Sequence, residues 1–215
     1  MKQVDILLAN KLLEISAIKL QPDSPFIWSS GWTSPIYTDN RKTLSYPHIR
    51  NFIKVELSRL IMENFSDAEV VAGVATGAIA QGALVADTLD MPFVYIRSTP
   101  KDHGLENLIE GNIKHGQKVV IVEDLVSTGK SSLKAAQAVT AAGGHVVGMV
   151  AMFTYEFPEA TEAFEKAGIK LLTISNYSAL IKAALQTEYI KPDDVEALQL
   201  WRKDPANWTP VSPID

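Results

Sequence analysis

Residues 119–132 read VVIVEDLVSTGKSS. Four β-branched apolar residues suit a strand buried on both faces. Two acids follow, Glu123 and Asp124, and then a turn of Leu125, Val126, Ser127, Thr128, Gly129, Lys130 and Ser131. Beyond the turn Leu133, Ala136 and Val139 fall at helical spacing. In an α/β sheet ligands bind beyond the carboxyl ends of the strands, which places the acid pair, expected at the strand tip, in reach of a ligand. The turn sets N–H groups and hydroxyls at a helix N-terminus, where phosphate binds without a basic surface. Two other readings compete. Acids in this position can simply cap the helix. Gly129-Lys130-Ser131 also matches the end of a nucleotide-binding P-loop, but that motif needs Gly where Asp124 stands. Paired acids repel a triphosphate and suit a sugar diol.

Outward from this unit, short apolar runs alternate with helical patterns. Strands are expected at 69–74, 92–97, 118–123, 145–152 and 170–174, with helices near 77–90, 130–142 and 159–167. Such alternation implies an α/β fold, a parallel sheet flanked by helices. Before it, Phe52, Ile53, Leu57, Leu60, Ile61 and Phe65 trace one helical stripe, and two more helices are expected after Asn176. The first stretch, with Val4, Leu8, Leu12 and Ile15, is expected as an amphipathic helix ending before Gln21-Pro22. Residues 21–47 have no sustained period and are rich in Pro, Ser, Gly and aromatics. The chain is therefore divided into residues 1–47, a helix and a small lobe, and residues 48–215, the α/β core with its C-terminal helices.

The 215 residues are 47% hydrophobic and 21% charged, enough for a sizeable core. A net charge of −5 argues against general nucleic-acid binding. Without cysteine the chain has no disulfide framework, thiolate metal site or thiol nucleophile. With no long apolar run and no signal-like N-terminus, no membrane partner and a cytoplasmic location are expected. The glycosylation triplets at Asn64, Asn176 and Asn207 require secretion and are set aside.

Residues 119–131 resemble the phosphoribosyl pyrophosphate (PRPP) motif of the type I phosphoribosyltransferases. The resemblance implies that Glu123 and Asp124 hold the ribose 2′- and 3′-hydroxyls. It also implies that the turn from Leu125 and Val126 through Ser127, Thr128, Gly129, Lys130 and Ser131 binds PRPP, residues 127–131 taking the 5′-phosphate. Two further segments resemble the orotate phosphoribosyltransferases: RSTPKDHG at 97–104, like their mobile catalytic loop, and SGWTSPIYTDNR at 30–41, like the segment covering the base. By this resemblance the fold is type I phosphoribosyltransferase-like, with residues 1–47 providing a hood over the base. Arg97, Lys101 and His103 are expected to serve PRPP, with Lys101, His103 and Asp124 in catalytic roles. The turn Ala75-Thr76-Gly77 occupies the place of the pyrophosphate loop, although its glycine can equally serve a tight turn. Ser127, Tyr37, Tyr155 and Arg41 are the candidates for orotate.

The implied reaction converts orotate and PRPP to orotidine 5′-monophosphate and pyrophosphate. Mg²⁺ is expected to arrive on PRPP rather than in a protein cage, and two chains are expected to share sites in a homodimer. The sequence departs from the family at Thr33, where Lys is common, at Ser98 and Thr99, where a further Lys is common, and at Tyr155, near which some members carry Arg. The alternatives are a phosphoribosyltransferase for another base, or a regulator that keeps the fold without the chemistry.

Overall fold

The computed structural model describes residues 4–28, 30–99 and 108–210. Helix α1 (Val4–Glu14) buries Leu8, Ala9, Leu12 and Leu13. It stops well before Gln21, because Ile18 and Leu20 are buried on either side of half-exposed Lys19, the two-residue period of a strand. Strands β1 (Ile18–Leu20), β2 (Phe26–Ile27), β3 (Thr33–Ser34) and β4 (Ile36–Thr38) follow. They form two small antiparallel ribbons, pairing Ile18 with Thr38 and Phe26 with Ser34. A 3₁₀ turn, Asn40–Ser45, leads to α2 (Pro47–Asn64), opened by a proline whose missing N–H costs nothing there. Its Ile49, Ile53, Leu57 and Ile61 are fully buried at four-residue spacing.

The core continues through β5 (Val70–Val74), α3 (Ile79–Leu89), β6 (Phe93–Ile96), β7 (Ile109–Glu110) and β8 (Lys118–Val126). It then runs through α4 (Lys130–Ala141), β9 (His145–Thr154), α5 (Pro158–Ala167), β10 (Leu171–Asn176), α6 (Tyr177–Gln186) and α7 (Asp194–Lys203). The six-stranded sheet has the order β10-β9-β8-β5-β6-β7. All neighbours are parallel except β7, a two-residue edge strand antiparallel to β6 and too short to show a period in sequence. The expected α/β fold is thus present.

From β5 the chain moves one way along the sheet to β6, whereas from β8 it moves the other way to β9 and β10. Right-handed crossovers then put α3 on one face and α4 and α5 on the other. Between β5 and β8 the direction reverses, and a crevice opens at such a switch point.

One boundary corrects the sequence expectation. Strand β8 does not end at Glu123 but runs to Val126, so the acid pair lies within it and not at its tip. The reason is its neighbour. Strand β9 continues through Phe153 and Thr154 and supplies partners as far as Leu125 and Val126, whereas pairing with β5 stops at Val122. On the β5 side the acids stand in a notch.

Candidate functional site

Glu123 is 5% exposed, and no cation accompanies it among the described ion pairs. Its Oε2 accepts from Ser132 Oγ at 3.0 Å, and its Oε1 accepts from the Asp124 N–H at 3.0 Å. Ser132 lies one turn into α4 and is itself buried, so the helix after the acids helps to hold the first of them. Burial, followed by the charge of Asp124, pushes the Glu123 carboxyl up to about 8. Burial also raises Asp124.

Asp124 is fixed through its backbone and neighbours. Its carbonyl accepts from Asn40 Nδ2 at 2.8 Å, which joins the N-terminal segment to the core. Its carboxylate fills the space beside Gly77, where any Cβ would overlap it. The glycine thus permits this close approach as well as making a turn. Ala75 and Thr76 precede it in the turn after β5, and the Ala75–Thr76 peptide is cis.

Neither acid caps α4. The position before that helix is Gly129, at φ +81°, a conformation that a side chain disfavours and that leaves the first-turn N–H groups without a side-chain cap.

Two adjoining cavities meet at Thr38 and Leu125. The smaller, about 320 Å³, is lined by Asp39, Asn40 and Arg41 on one side and Thr76, Gly77 and Asp124 on the other. The larger, about 650 Å³, lies between Trp28, Trp32 and Tyr37 of the N-terminal segment and Ser127, Thr128, Lys130 and Tyr155 of the core. Lys130 is exposed and pairs with Glu159 at 3.0 Å. Tyr155 lies just beyond β9 and stacks on Trp28 with centroids 5.4 Å apart. Burial holds its phenol protonated, well above the ordinary range.

The structure therefore gathers most sequence-selected residues into one region. Ser127, Tyr37 and Tyr155 share the larger cavity, whereas Arg41 lines the smaller one and pairs with Asp39 at 2.7 Å. Arg97 directly follows β6 and pairs with Glu110 at 3.3 Å. Lys101 and His103 lie outside the described residues. Sequence reasoning missed Trp28, Trp32, Thr38, Asn40 and Ser132. All but Ser132 fall in the aromatic-rich 21–47 segment, where composition marked a lobe without saying which side chains turn inward. Ser132 bore no signal, since only its hydrogen bond distinguishes it from any small helix residue.

An acid pair at the switch point, its first member buried and its second partly so, followed by a hydroxyl turn into a helix, defines a phosphoribosyltransferase site of the type I class, and residues 49–186 match the family model described as the phosphoribosyl transferase domain. The chain is 62% identical over 208 residues to the orotate phosphoribosyltransferase of Bacteroides thetaiotaomicron, covering 97% of this chain and 98% of that one. It is 61% identical to that of Porphyromonas gingivalis, covering 97% and 99%. Among solved structures, the orotate phosphoribosyltransferase of Aeropyrum pernix superposes with a TM-score of 0.72 at 25% identity, over 86% of this chain and 99% of that one. That of Mycobacterium tuberculosis in complex with PRPP gives 0.63 at 26%, over 82% and 98%. The chain belongs to the orotate phosphoribosyltransferase family.

The ionisation of Glu123 gives a test in the ligand-free protein. Its folded value lies above the ordinary 4.5, so its contribution to stability is full below that value. The contribution is lost as pH climbs through the folded value near 8, at up to roughly 1.4 kcal/mol per pH unit. Glu123→Gln cannot ionise. Urea unfolding is expected to show the variant gaining on wild type from about pH 5 to about pH 8; parallel curves would mean that the carboxyl titrates normally.

Proposed function

We propose that this chain transfers the 5-phosphoribosyl group of PRPP to a ring nitrogen of orotate, giving orotidine 5′-monophosphate and pyrophosphate in the synthesis of pyrimidine nucleotides. The observation that carries the reading is that Asp124, next to buried Glu123, lines a small polar cavity that adjoins a large aromatic one at Thr38 and Leu125. A sugar held by Glu123 and Asp124 has room for pyrophosphate on the Thr76–Gly77 side and for a flat base on the Trp28–Tyr155 side. The turn Ser127–Gly129, with Lys130 and Ser131 at the uncapped start of α4, then meets the 5′-phosphate. Residues 1–47 serve as the hood.

In this mechanism the C1–oxygen bond to pyrophosphate breaks, the C1–nitrogen bond forms, and the base loses its nitrogen proton. The ribose hydroxyls donate to the two carboxylates, which orients C1 and offsets positive charge as it develops there. Charge grows on the departing pyrophosphate at the same time. Arg97, Lys101 and His103 neutralise it, His103 by a proton if required. Ser127, Tyr37 and Tyr155 contact orotate, and Arg41 faces the smaller cavity as a further cation.

No group of three His, Asp or Glu residues suited to a metal occurs among the described residues. Mg²⁺ carried on PRPP would keep largely water and phosphate oxygens as its ligands. The ion would supply charge neutralisation of the pyrophosphate, and Asp39 and Asp124, which line the smaller cavity, would be the protein carboxylates available to it. No described helix is long and apolar enough to cross a membrane. A cytoplasmic enzyme without a nucleic-acid partner suits the small anionic substrates and the net charge of −5.

The direct test is orotate absorbance. Consumption is expected only with both PRPP and Mg²⁺, and faster use of a purine would overturn the choice of base. Asp124→Asn is expected to lower turnover by about a hundredfold or more with an unchanged melting curve. Near-normal turnover would remove this acid from the ribose.

The shared-site homodimer is tested by mixing Lys101→Ala chains with Asp124→Asn chains and allowing subunits to exchange. If the loop serves the partner's acids, a mixed dimer gathers both defects into one site and leaves the other intact. Random exchange makes about half the dimers mixed, so roughly a quarter of wild-type activity is expected to return. Activity that stays at the sum of the two variants, despite proven exchange, would mean that each chain serves itself.

A further inference from the structure

We propose that Trp201, on the C-terminal helix α7, is a positioning residue that sets the aromatic wall of the larger cavity and thereby the enzyme's hold on orotate. The inference rests on the assignment of that cavity to the base. It concerns a helix beyond residues 49–186, the span that the family model matches.

Trp201 is fully buried. Its ring meets Trp28 edge-on at 5.6 Å and Tyr155 edge-on at 5.7 Å, and these are the two stacked rings that face the cavity. On its other contacts it meets Phe157 at 5.4 Å and Tyr177 at 5.5 Å. Its indole N–H has no hydrogen-bond partner among the described residues, so packing fixes the ring. Trp201 does not line the cavity itself. It is the backing against which a hood residue and a core residue are pressed together.

The helix that carries it is latched at neighbouring positions. Tyr177 Oη donates to the Leu198 carbonyl at 2.9 Å. Arg202 Nη1 donates to Glu156 Oε2 at 3.2 Å and to Ser178 Oγ at 3.2 Å, while Glu156 also accepts from Ser178 Oγ at 2.6 Å. Glu156 directly follows Tyr155. The latch and the wall therefore share one stretch of backbone, and a shift of α7 is passed to Tyr155 from two sides. Without Trp201, a void opens behind Trp28 and Tyr155, and nothing replaces the lost ring contacts.

The test is the split between the two substrates in steady-state kinetics. Trp201→Ala is expected to raise the KM for orotate about tenfold while that for PRPP stays within about twofold, and Trp201→Phe is expected to recover most of the loss. Arg202→Ala, at a half-exposed side chain, keeps the assay informative if Trp201→Ala does not fold, and is expected to raise the orotate KM about threefold. Ile61→Ala removes buried bulk from α2, outside α7 and the aromatic cluster, so it should lower the melting temperature and leave the orotate KM near wild type. Equal changes in both KM values, no change in either, or an orotate effect of Ile61→Ala equal to that of Trp201→Ala would overturn the proposal. Tyr37→Ala separates the two levels. If it raises the orotate KM and the α7 variants do not, only the positioning role fails; if neither does, the cavity is not the base site.

Discussion

The site depends on a difference in length between neighbouring strands. Strand β8 is paired with β9 along its whole length but with β5 only as far as Val122. Pairing with β9 therefore carries the strand through Glu123 and Leu125, while the Asp124 backbone is satisfied by Asn40 at its carbonyl and by Glu123 Oε1 at its N–H, and the β5 side has no strand partner at the acids. A strand that ended at the acids would leave them on a flexible turn. Here they are rigid, and rigidity matters most for groups that must meet a reacting sugar in one geometry. The cost is desolvation. Glu123 is buried with hydrogen-bond donors but no cation, and so it favours its neutral form.

The N-terminal segment closes the notch by two contacts of different kinds. Asn40 donates to the Asp124 carbonyl, a polar tie to the acid strand. Trp28 stacks on Tyr155, an apolar tie to the end of β9, and donates its own N–H to the Ile36 carbonyl. With its N–H satisfied, this partly buried indole packs its apolar area without leaving a polar atom unpaired. The aromatic wall also clarifies the family departure at Tyr155. Where some relatives carry a cation near this position, this chain has a phenol that burial keeps neutral, so under the proposed function the larger cavity would hold a flat ring by contact area, with Lys130 the cation among its lining residues.

The α/β architecture was legible in the sequence because it rests on strong periodic signals. The runs ending at Val74, Ile96 and Val122 are apolar throughout, as strands covered on both faces must be, and the helices between them repeat every three to four residues. Strand ends were less legible. The extension of β8 to Val126 depends on the length of β9, a long-range fact that a local reading cannot see. The acid pair and the hydroxyl turn stood out as chemistry, since a strand leading into acids and hydroxyls has few purely structural uses. By contrast, Asn40, Trp28 and Trp201 act through contacts with residues far away in the chain. Asn40 meets Asp124 across 84 positions, and no spacing rule connects them.

The central claim is that the desolvated acid pair receives the ribose of PRPP. The most direct measurement counts protons during PRPP binding near neutral pH, by calorimetry in buffers of different ionisation enthalpy. Ribose hydroxyls donating to Glu123 would favour its charged form, so wild type should release more protons than Glu123→Gln, whose carboxamide has none to give. Equal proton release by the two proteins, with PRPP bound to both, would contradict the account.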